Sequence, residues 1–517
     1  MKITLLIATI ISLSLYTSQF KLLQNKAGDI INTDIYNSNA GSISLIQTSK
    51  EDNELLAEKE SLNFTQDFEF SGPIIDLTSR EIDQTIEGFG GAFTEASASV
   101  FYSMSEKNQE KFIEKYFDAE KGIGYSVGRI PVGACDFSPE ESSKWSYADV
   151  AGDVNLEHFD MNATMDSKHV IPLIQRASQK IKETSKNVFK LFGSPWSPPA
   201  WMKTTRDMTH GGKLMKQYYS TMADYLVKWV TVFKSFGLNI WGLTPQNEPE
   251  GPWEFETCLY GPTEEAEWIG QHLGPKLKHA HPEVKIFPYD HNKDNLFEWT
   301  QTMYDHPEAS KYVDGMAYHW YSGDDFDKVA ESHKKNPNAI LLGTEATWEG
   351  KNFPEEFNFK DGAWSLGEGY AHTVMGDLNA GANGWTDWNL LLNIKGGPNH
   401  VNNWCDAPMI ADDNELYLHS QYYYLGHFSK YLLQGSKRVK HKVLNSKKYE
   451  GKRRNYGQCN EEDGLDATAF KRPDGKMAVV VLNCSDKSQE FKLMEINKSA
   501  YVYIPANSIQ TLVYDLE

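Results

Sequence analysis

The 517-residue sequence predicts an α/β fold, a (β/α)8 barrel accompanied by a β-sandwich built from N-terminal strands and the C-terminal region. Three observations predict it. Eight short apolar runs recur between residues 85 and 389, separated by helix-length amphipathic stretches. Each run ends in polar or aromatic groups, as barrel strands do where their C-terminal ends converge on one face. Beyond residue 420 the helical period fades and strand-like pieces return, like the short alternating segments before residue 84.

Taken in order, residues 1–20 read as a signal peptide. Met1-Lys2 gives a basic start, Ile3 to Tyr16 is apolar but too short to span a bilayer comfortably, and small polar residues follow. Residues 21–84 are a polar leader and then N-terminal strands, such as Ser42-Ile43-Ser44-Leu45-Ile46 and Phe68-Glu69-Phe70. The barrel occupies 85–420. Its runs are Thr85–Phe93, Tyr125–Gly133, Phe189–Trp196, Ile240–Pro249, Lys285–Asn292, Gly315–Tyr321, Ala339–Ala346 and Gly381–Asn389. Helical stretches at 106–118, 166–183, 213–236 and 263–280 fall between them. Residues 421–517 form the C-terminal β-sandwich, with strands within Met477–Leu482 and Tyr501–Val513 and a turn at Pro473-Asp474-Gly475.

Composition narrows the function. A formal charge of −20 repels phosphates and argues against nucleic acid as a partner. Four sequons, at Asn63, Asn162, Asn483 and Asn497, agree with passage through a secretory pathway. Five cysteines leave at least one thiol unpaired; Cys459 and Cys484 are the pair to test for a bridge.

The chemistry centres on Glu248, in Thr244-Pro245-Gln246-Asn247-Glu248-Pro249, and Glu345, in Leu342-Gly343-Thr344-Glu345-Ala346. Glycoside hydrolysis needs one carboxylic acid to protonate the leaving oxygen and an ionised carboxylate to attack the anomeric carbon. The fourth and seventh barrel strands can place two such groups across a pocket. A lone strand-end Glu is more often a structural ion pair; two, one of them preceded by an Asn able to bond a sugar 2-hydroxyl, favour catalysis. Arg129 could keep the nucleophile ionised. Asp136 could bind hydroxyls or cap a helix. Of the fourteen Trp, Trp196, Trp320 and Trp388 stand at strand ends, where sugar faces can stack.

Other motifs fail on inspection. Gly88-Phe89-Gly90-Gly91-Ala92-Phe93 has Phe93 where a dinucleotide loop needs its third glycine. Asp290-His291-Asn292-Lys293-Asp294 lacks the glycine and final Glu of a calcium loop. His279 and His281 read as solvated surface, and no G-x-S-x-G elbow occurs.

Several blocks together resemble glycoside hydrolase family 30. They are Gly88 to Glu95, Gly193-Ser194-Pro195-Trp196-Ser197-Pro198-Pro199-Ala200-Trp201, Asn247-Glu248-Pro249, His319-Trp320-Tyr321, Thr344-Glu345-Ala346, and Gly384-Trp385-Thr386-Asp387-Trp388-Asn389 through Gly396-Gly397-Pro398-Asn399 to Asp406-Ala407-Pro408. The resemblance implies a retaining β-glucosidase acting on glucosylceramide, with a β-1,6-glucanase or another exo-β-glycosidase of the family as the alternative. It implies Glu248 as acid/base and Glu345 as nucleophile. Asn247 would sit on the 2-hydroxyl, with Arg129, His319 and Tyr321 around the carboxylates. Asp136, Trp196, Trp388 and Asn403 would hold the glucose, and Phe137 and Trp404 would line the pocket. No cofactor and no metal are implied. The expected partners are glucosylceramide at a membrane surface, a saposin-like activator and anionic phospholipid, in a lysosomal or secreted setting. Thr347 stands where the animal enzymes carry a Cys, and no Cys precedes Cys135, so their N-terminal disulfides are absent. The loop between Glu248 and Cys258 is shorter than theirs.

Overall fold

The computed structural model describes residues 41–412, 415–447, 457, 459 and 464–516. The expected signal peptide and the leader before residue 41 lie outside the described residues.

Eight parallel strands close a barrel: β1 (Gly88–Ala92), β2 (Val127–Pro131), β3 (Lys190–Ser194), β4 (Ile240–Leu243), β5 in two pieces (Lys285–Ile286 and Tyr289–Asn292), β6 (Gly315–His319), β7 (Ile340–Glu345) and β8 (Gly384–Asn389). Each predicted run contains one of them. β8 returns to β1, pairing Gly384 with Gly88. Strand β5 is broken for a local reason: Pro288, between its pieces, has no N–H to give a ladder. Its first piece pairs with β4 and its second with β6. The strands approach closely; a Cβ on Gly90 would lie 1.8 Å from the Val127 carbonyl oxygen of β2, so only glycine fits there.

Side-chain caps set where the early helices begin. Thr94 accepts from the Ser97 N–H at the start of Glu95–Ser103, and Ser105 does the same for Glu106–Phe117. The stretch predicted as one helix over 263–280 is an α-helix (Pro262–Trp268), a π-turn (Ile269–Leu273) and a second α-helix (Gly274–Ala280). Pro275, just past the π-turn, cannot donate to the preceding turn, which explains the change of period.

Both chain ends build the sandwich. One sheet orders Glu54–Asn63, Ser42–Ser49, Ser508–Asp515, Lys476–Asn483, Asp466–Lys471, Lys437–Val439 and Ile82–Thr85. The other orders Lys442–Leu444, Ile74–Asp76, Gln489–Glu495, Lys498–Ile504 and Thr65–Gln66. The strand Lys476–Asn483 shows why its sequence is apolar throughout. Val479 and Val481 face the sandwich core, while Ala478, Val480 and Leu482 belong to the barrel's core. Burial on both faces erases the usual alternation.

Several local expectations are corrected. Phe68-Glu69-Phe70 is not a strand; Phe68 and Phe70 pack edge to face, and Phe70 packs on Tyr501. Tyr501–Val513 is two strands separated by a turn in which Asn507 takes φ 45°. His281 is buried rather than solvated, 2.9 Å from the Thr231 hydroxyl. Cys459 and Cys484 are joined in a disulfide, and Cys135, Cys258 and Cys405 are buried thiols. Asn63, Asn162 and Asn497 are exposed, but Asn483 is fully buried, its amide donating to the Lys487 and Pro505 carbonyls. That amide is unavailable to a glycan in the folded protein. No helix among the described residues is long and apolar enough to cross a membrane.

Candidate active site

A cavity of about 280 Å3 opens at the C-terminal ends of the barrel strands, at the small end of ligand sites, which run to ~300–1,000 Å3. Its floor is charged, and the charges are ordered. Arg129, near the end of β2, is fully buried and donates to Glu345, to Asn247 at 2.7 Å, to Asp290 at 2.9 Å and to Ser194 at 3.1 Å. Asp290 accepts from five groups. Its Oδ2 takes Arg129, the Ser194 hydroxyl at 2.9 Å and the Thr244 hydroxyl at 2.6 Å. Its Oδ1 takes the Thr344 hydroxyl at 2.6 Å and the His319 Nε2 at 3.0 Å. Burial would push the Asp290 carboxyl up; Arg129 and these donors hold it far below the usual carboxylate range. Asp290 therefore stays an anion and fixes the His319 proton on Nε2.

The other ring nitrogen faces both predicted carboxylates. His319 Nδ1 lies 3.2 Å from Glu248 Oε1 and 3.9 Å from Glu345 Oε1. The sum of these two contacts bounds the separation of those oxygens. It excludes all but the shortest spacings of the wide arrangement, in which carboxyls stand roughly 6.5–9.5 Å apart. A bulge in the β6–β7 register between Tyr318 and His319 aligns His319 with Glu345.

The two carboxylates differ in company. Glu345 receives Arg129 on one oxygen and the Tyr321 hydroxyl, at 2.9 Å, on the other. Among the described residues the Glu248 carboxylate pairs with imidazoles, His291 Nδ1 lying 3.7 Å away in addition to His319. Burial pushes the Glu248 carboxyl up, but the two imidazoles outweigh it and hold it well below its ordinary value. Burial likewise pulls His319 down, yet the carboxylates of Glu345, Asp290 and Glu248 raise it to about 9. Glu248 (φ 47°), in the loop after β4, and Tyr289 (φ 82°) and Asp290 (φ 53°), at the start of the second piece of β5, are left-handed non-glycine residues. Such strain persists where surrounding structure over-determines it.

Asn247, Trp196, Trp388, Asp136, Tyr321 and Asn403, all singled out in the sequence, line the cavity. Trp196 and Trp388 stack with centroids 5.1 Å apart beside the Arg129 guanidinium, 4.7 and 5.2 Å from their centroids. Burial, then Glu345 and Glu248, push the Asp136 carboxyl well up. Two expectations are corrected. Phe137 is not a lining residue; it packs edge-on behind Trp388, 6.0 Å away. Trp404 turns outward and is 56% exposed, because its neighbours Asn403 and Cys405 take the inward positions.

Sequence reasoning passed over Asp290 and His291, dismissed with a failed calcium motif, and the pocket-lining Trp253, Phe255 and Glu349. Glu349 had a readable signal, lying four residues past Glu345 in the same strand-end loop. Burial and its two acidic neighbours raise it to about 7. Glu248, His291 and His319 also gather donor atoms within 4.8 Å, enough to hold a cation. A cation there would displace the proton between Glu248 and His319.

The Glycosyl hydrolase family 30 TIM-barrel domain model matches residues 86–432, and the family's beta sandwich domain model matches 435–512. The chain belongs to glycoside hydrolase family 30. It is therefore a glycoside hydrolase, and its relatives agree. It is 34% identical to putative glucosylceramidase 3 of Caenorhabditis elegans, over 93% of this chain and 88% of that one. It is 34% identical to the lysosomal acid glucosylceramidase of Mus musculus, over 81% of this chain and 78% of that one. Among solved structures, SrfJ from Salmonella typhimurium superposes with a TM-score of 0.81 at 30% identity, covering 92% of this chain and all of SrfJ. Fungal endo-1,6-β-D-glucanases are more distant relatives of this family 30 chain.

Proposed function

We propose that this family 30 enzyme is a retaining β-glucosidase that hydrolyses glucosylceramide to glucose and ceramide. The observation carrying the reading is the asymmetry of the two carboxylates around His319. Glu345 accepts from Arg129 on one oxygen and from Tyr321 on the other, which aim its carboxylate as a nucleophile needs. Glu248 rests as a carboxylate 3.2 Å from the protonated His319, from which it can draw the proton that it passes to the leaving oxygen.

In the first step Glu345 attacks the anomeric carbon while Glu248 protonates the departing glycosidic oxygen, leaving a glucosyl ester on Glu345. In the second, Glu248 takes a proton from water, which displaces Glu345 and returns the anomeric centre to its original configuration. Asn247, held by Arg129, is offered to the sugar 2-hydroxyl. Asp136 and Asn403 bind the other hydroxyls over the Trp196 and Trp388 rings. A lysosomal or secreted location, and help from anionic phospholipid or a saposin-like activator, follow from the same reading.

The second reading is β-1,6-glucan cleavage, favoured by the fungal relatives; the small cavity, suited to one sugar, weighs against it. A substrate panel at acid pH decides. Glucose should be released from glucosylceramide, faster with anionic phospholipid present. Release from β-1,6-glucan alone would overturn the ceramide reading.

A further inference from the structure

Three of the loops that wall the cavity share no strand pairing with one another among the described residues. The turn after β2 carries Asp136, the loop after β4 carries Trp253 and Phe255, and the loop after β8 carries Asn403. Between these loops lies an ion pair that the catalytic network does not use. Glu256 Oε2 and His400 Nε2 are 3.2 Å apart, with side chains 0% and 8% exposed. Neither atom has a hydrogen-bond partner among the described residues, so the contact is charge against charge, off the hydrogen-bond line.

The far side of each residue grips another loop. Glu256 Oε1 accepts from the Lys144 N–H at 2.9 Å, and Lys144 is itself in the left-handed region, φ 59°. His400 Nδ1 lies 3.0 Å from the Ser138 carbonyl oxygen. The His400 N–H donates to the Asp136 carbonyl at 3.4 Å, and the Asn403 amide reaches the Asp136 carboxyl at 3.4 Å. One imidazole thus ties the β8 loop to the β2 turn and, through Glu256, to the β4 loop.

We propose that the His400–Glu256 pair is a clasp that closes the three loops around the sugar pocket, positions Asp136 and Asn403 for substrate, and loosens when His400 loses its proton. This rests on the reading that the pocket takes the sugar of a β-glucoside. His400 and Glu256 are positioning residues; neither lines the cavity.

The electrostatics run in the required direction. His400 is faced by Glu256 and Asp136; Glu256 is faced by His400, Asp136, the Cys135 thiol and the Lys203 ammonium. Burial lowers His400, but Glu256, the Ser138 carbonyl and Asp136 raise it above its ordinary value. Burial raises Glu256, but His400 and the Lys144 N–H bring it below its own. The charged pair therefore exists from acid pH upward and is lost as pH rises through the raised His400 value. Losing the imidazolium leaves a buried carboxylate without its cation, an arrangement that buried structure resists.

The test measures kcat and KM for an aryl β-glucoside from pH 4 to 8, with the Kd of glucose read in parallel from tryptophan fluorescence. In the unaltered enzyme KM and Kd should rise together toward alkaline pH. His400→Gln and Glu256→Gln should each raise KM at acid pH by ~5-fold or more, flatten its pH dependence and leave kcat within about twofold. If a single variant folds poorly, the double variant, which removes both charges, should fold yet keep the high, pH-flat KM. Variants that lose only thermal stability, or that keep the original pH profile of KM and Kd, would overturn the clasp. An unaltered protein that binds glucose but turns over no β-glucoside would instead sink the proposed function. The clasp would then stand or fall on whether His400→Gln flattens the pH dependence of glucose Kd.

Discussion

The floor of the barrel mouth and the core of the sandwich are equally dry but built from opposite materials. Arg129, Asp290, Ser194, Thr244, His319 and Thr344 show no exposure, and they bond one another through charge and hydroxyl groups. Val479, Val481, Phe491, Leu493, Val502 and Ile504 are just as buried and purely apolar. Burying apolar surface stabilises without fixing any group's direction, at about 25 cal/mol per Å2. Burying charge is costly unless every partner is present, but it fixes atoms before substrate arrives. The difference suggests a division of labour, in which the sandwich and barrel core supply stability and the mouth floor consumes some of it to aim two carboxylates.

Three substitutions press on that division, in descending order of effect. Glu345→Gln removes the proposed nucleophile while keeping its shape; turnover should fall by roughly 10⁴-fold or more, with thermal unfolding little changed. Near-normal turnover would remove Glu345 from the mechanism. Arg129→Met should damage both properties, because Asp290 and Glu345 would lose their shared cation. A loss of ~3–5 kcal/mol in denaturant unfolding is expected, together with most of the activity. A stable, inactive Arg129→Met protein would mean that Asp290 and Glu345 are not left as uncompensated buried charges. Phe491→Ala, in the sandwich, should cost ~3–5 kcal/mol in the same measurement and leave kcat of the folded enzyme unchanged. A drop in kcat would break the division, showing that the sandwich helps set the geometry of the mouth.

The legible and illegible parts of the molecule separate along one line. The eight barrel strands could be read because an apolar run and a helical period are local properties of a few residues. Even the break in β5 had a local sign in Pro288. The apolar strand Lys476–Asn483 could be recognised as a strand, though not why both its faces are buried. Glu248 and Glu345 stood out because each stands near the end of an apolar run. Asp290 lies in such a run too, yet its importance lies in five donors drawn from five other strands or strand ends, and no short window contains them. Asn483 failed in the opposite sense: its sequon is intact, but folding turns its amide into a bridge between two backbone carbonyls.

The sequence by itself determined the order of the strands, the two-part architecture and the chemical type of the groups brought to the barrel mouth, because pattern and position along a strand are short-range. Only the tertiary structure decided which of those groups touch. It set His319 against both carboxylates, gave Arg129 and Tyr321 to Glu345, turned Trp404 to solvent and paired Glu256 with His400. Those contacts join residues far apart in the chain. Whether they form depends on distances of an ångström or less, which strand twist, register and loop closure set together.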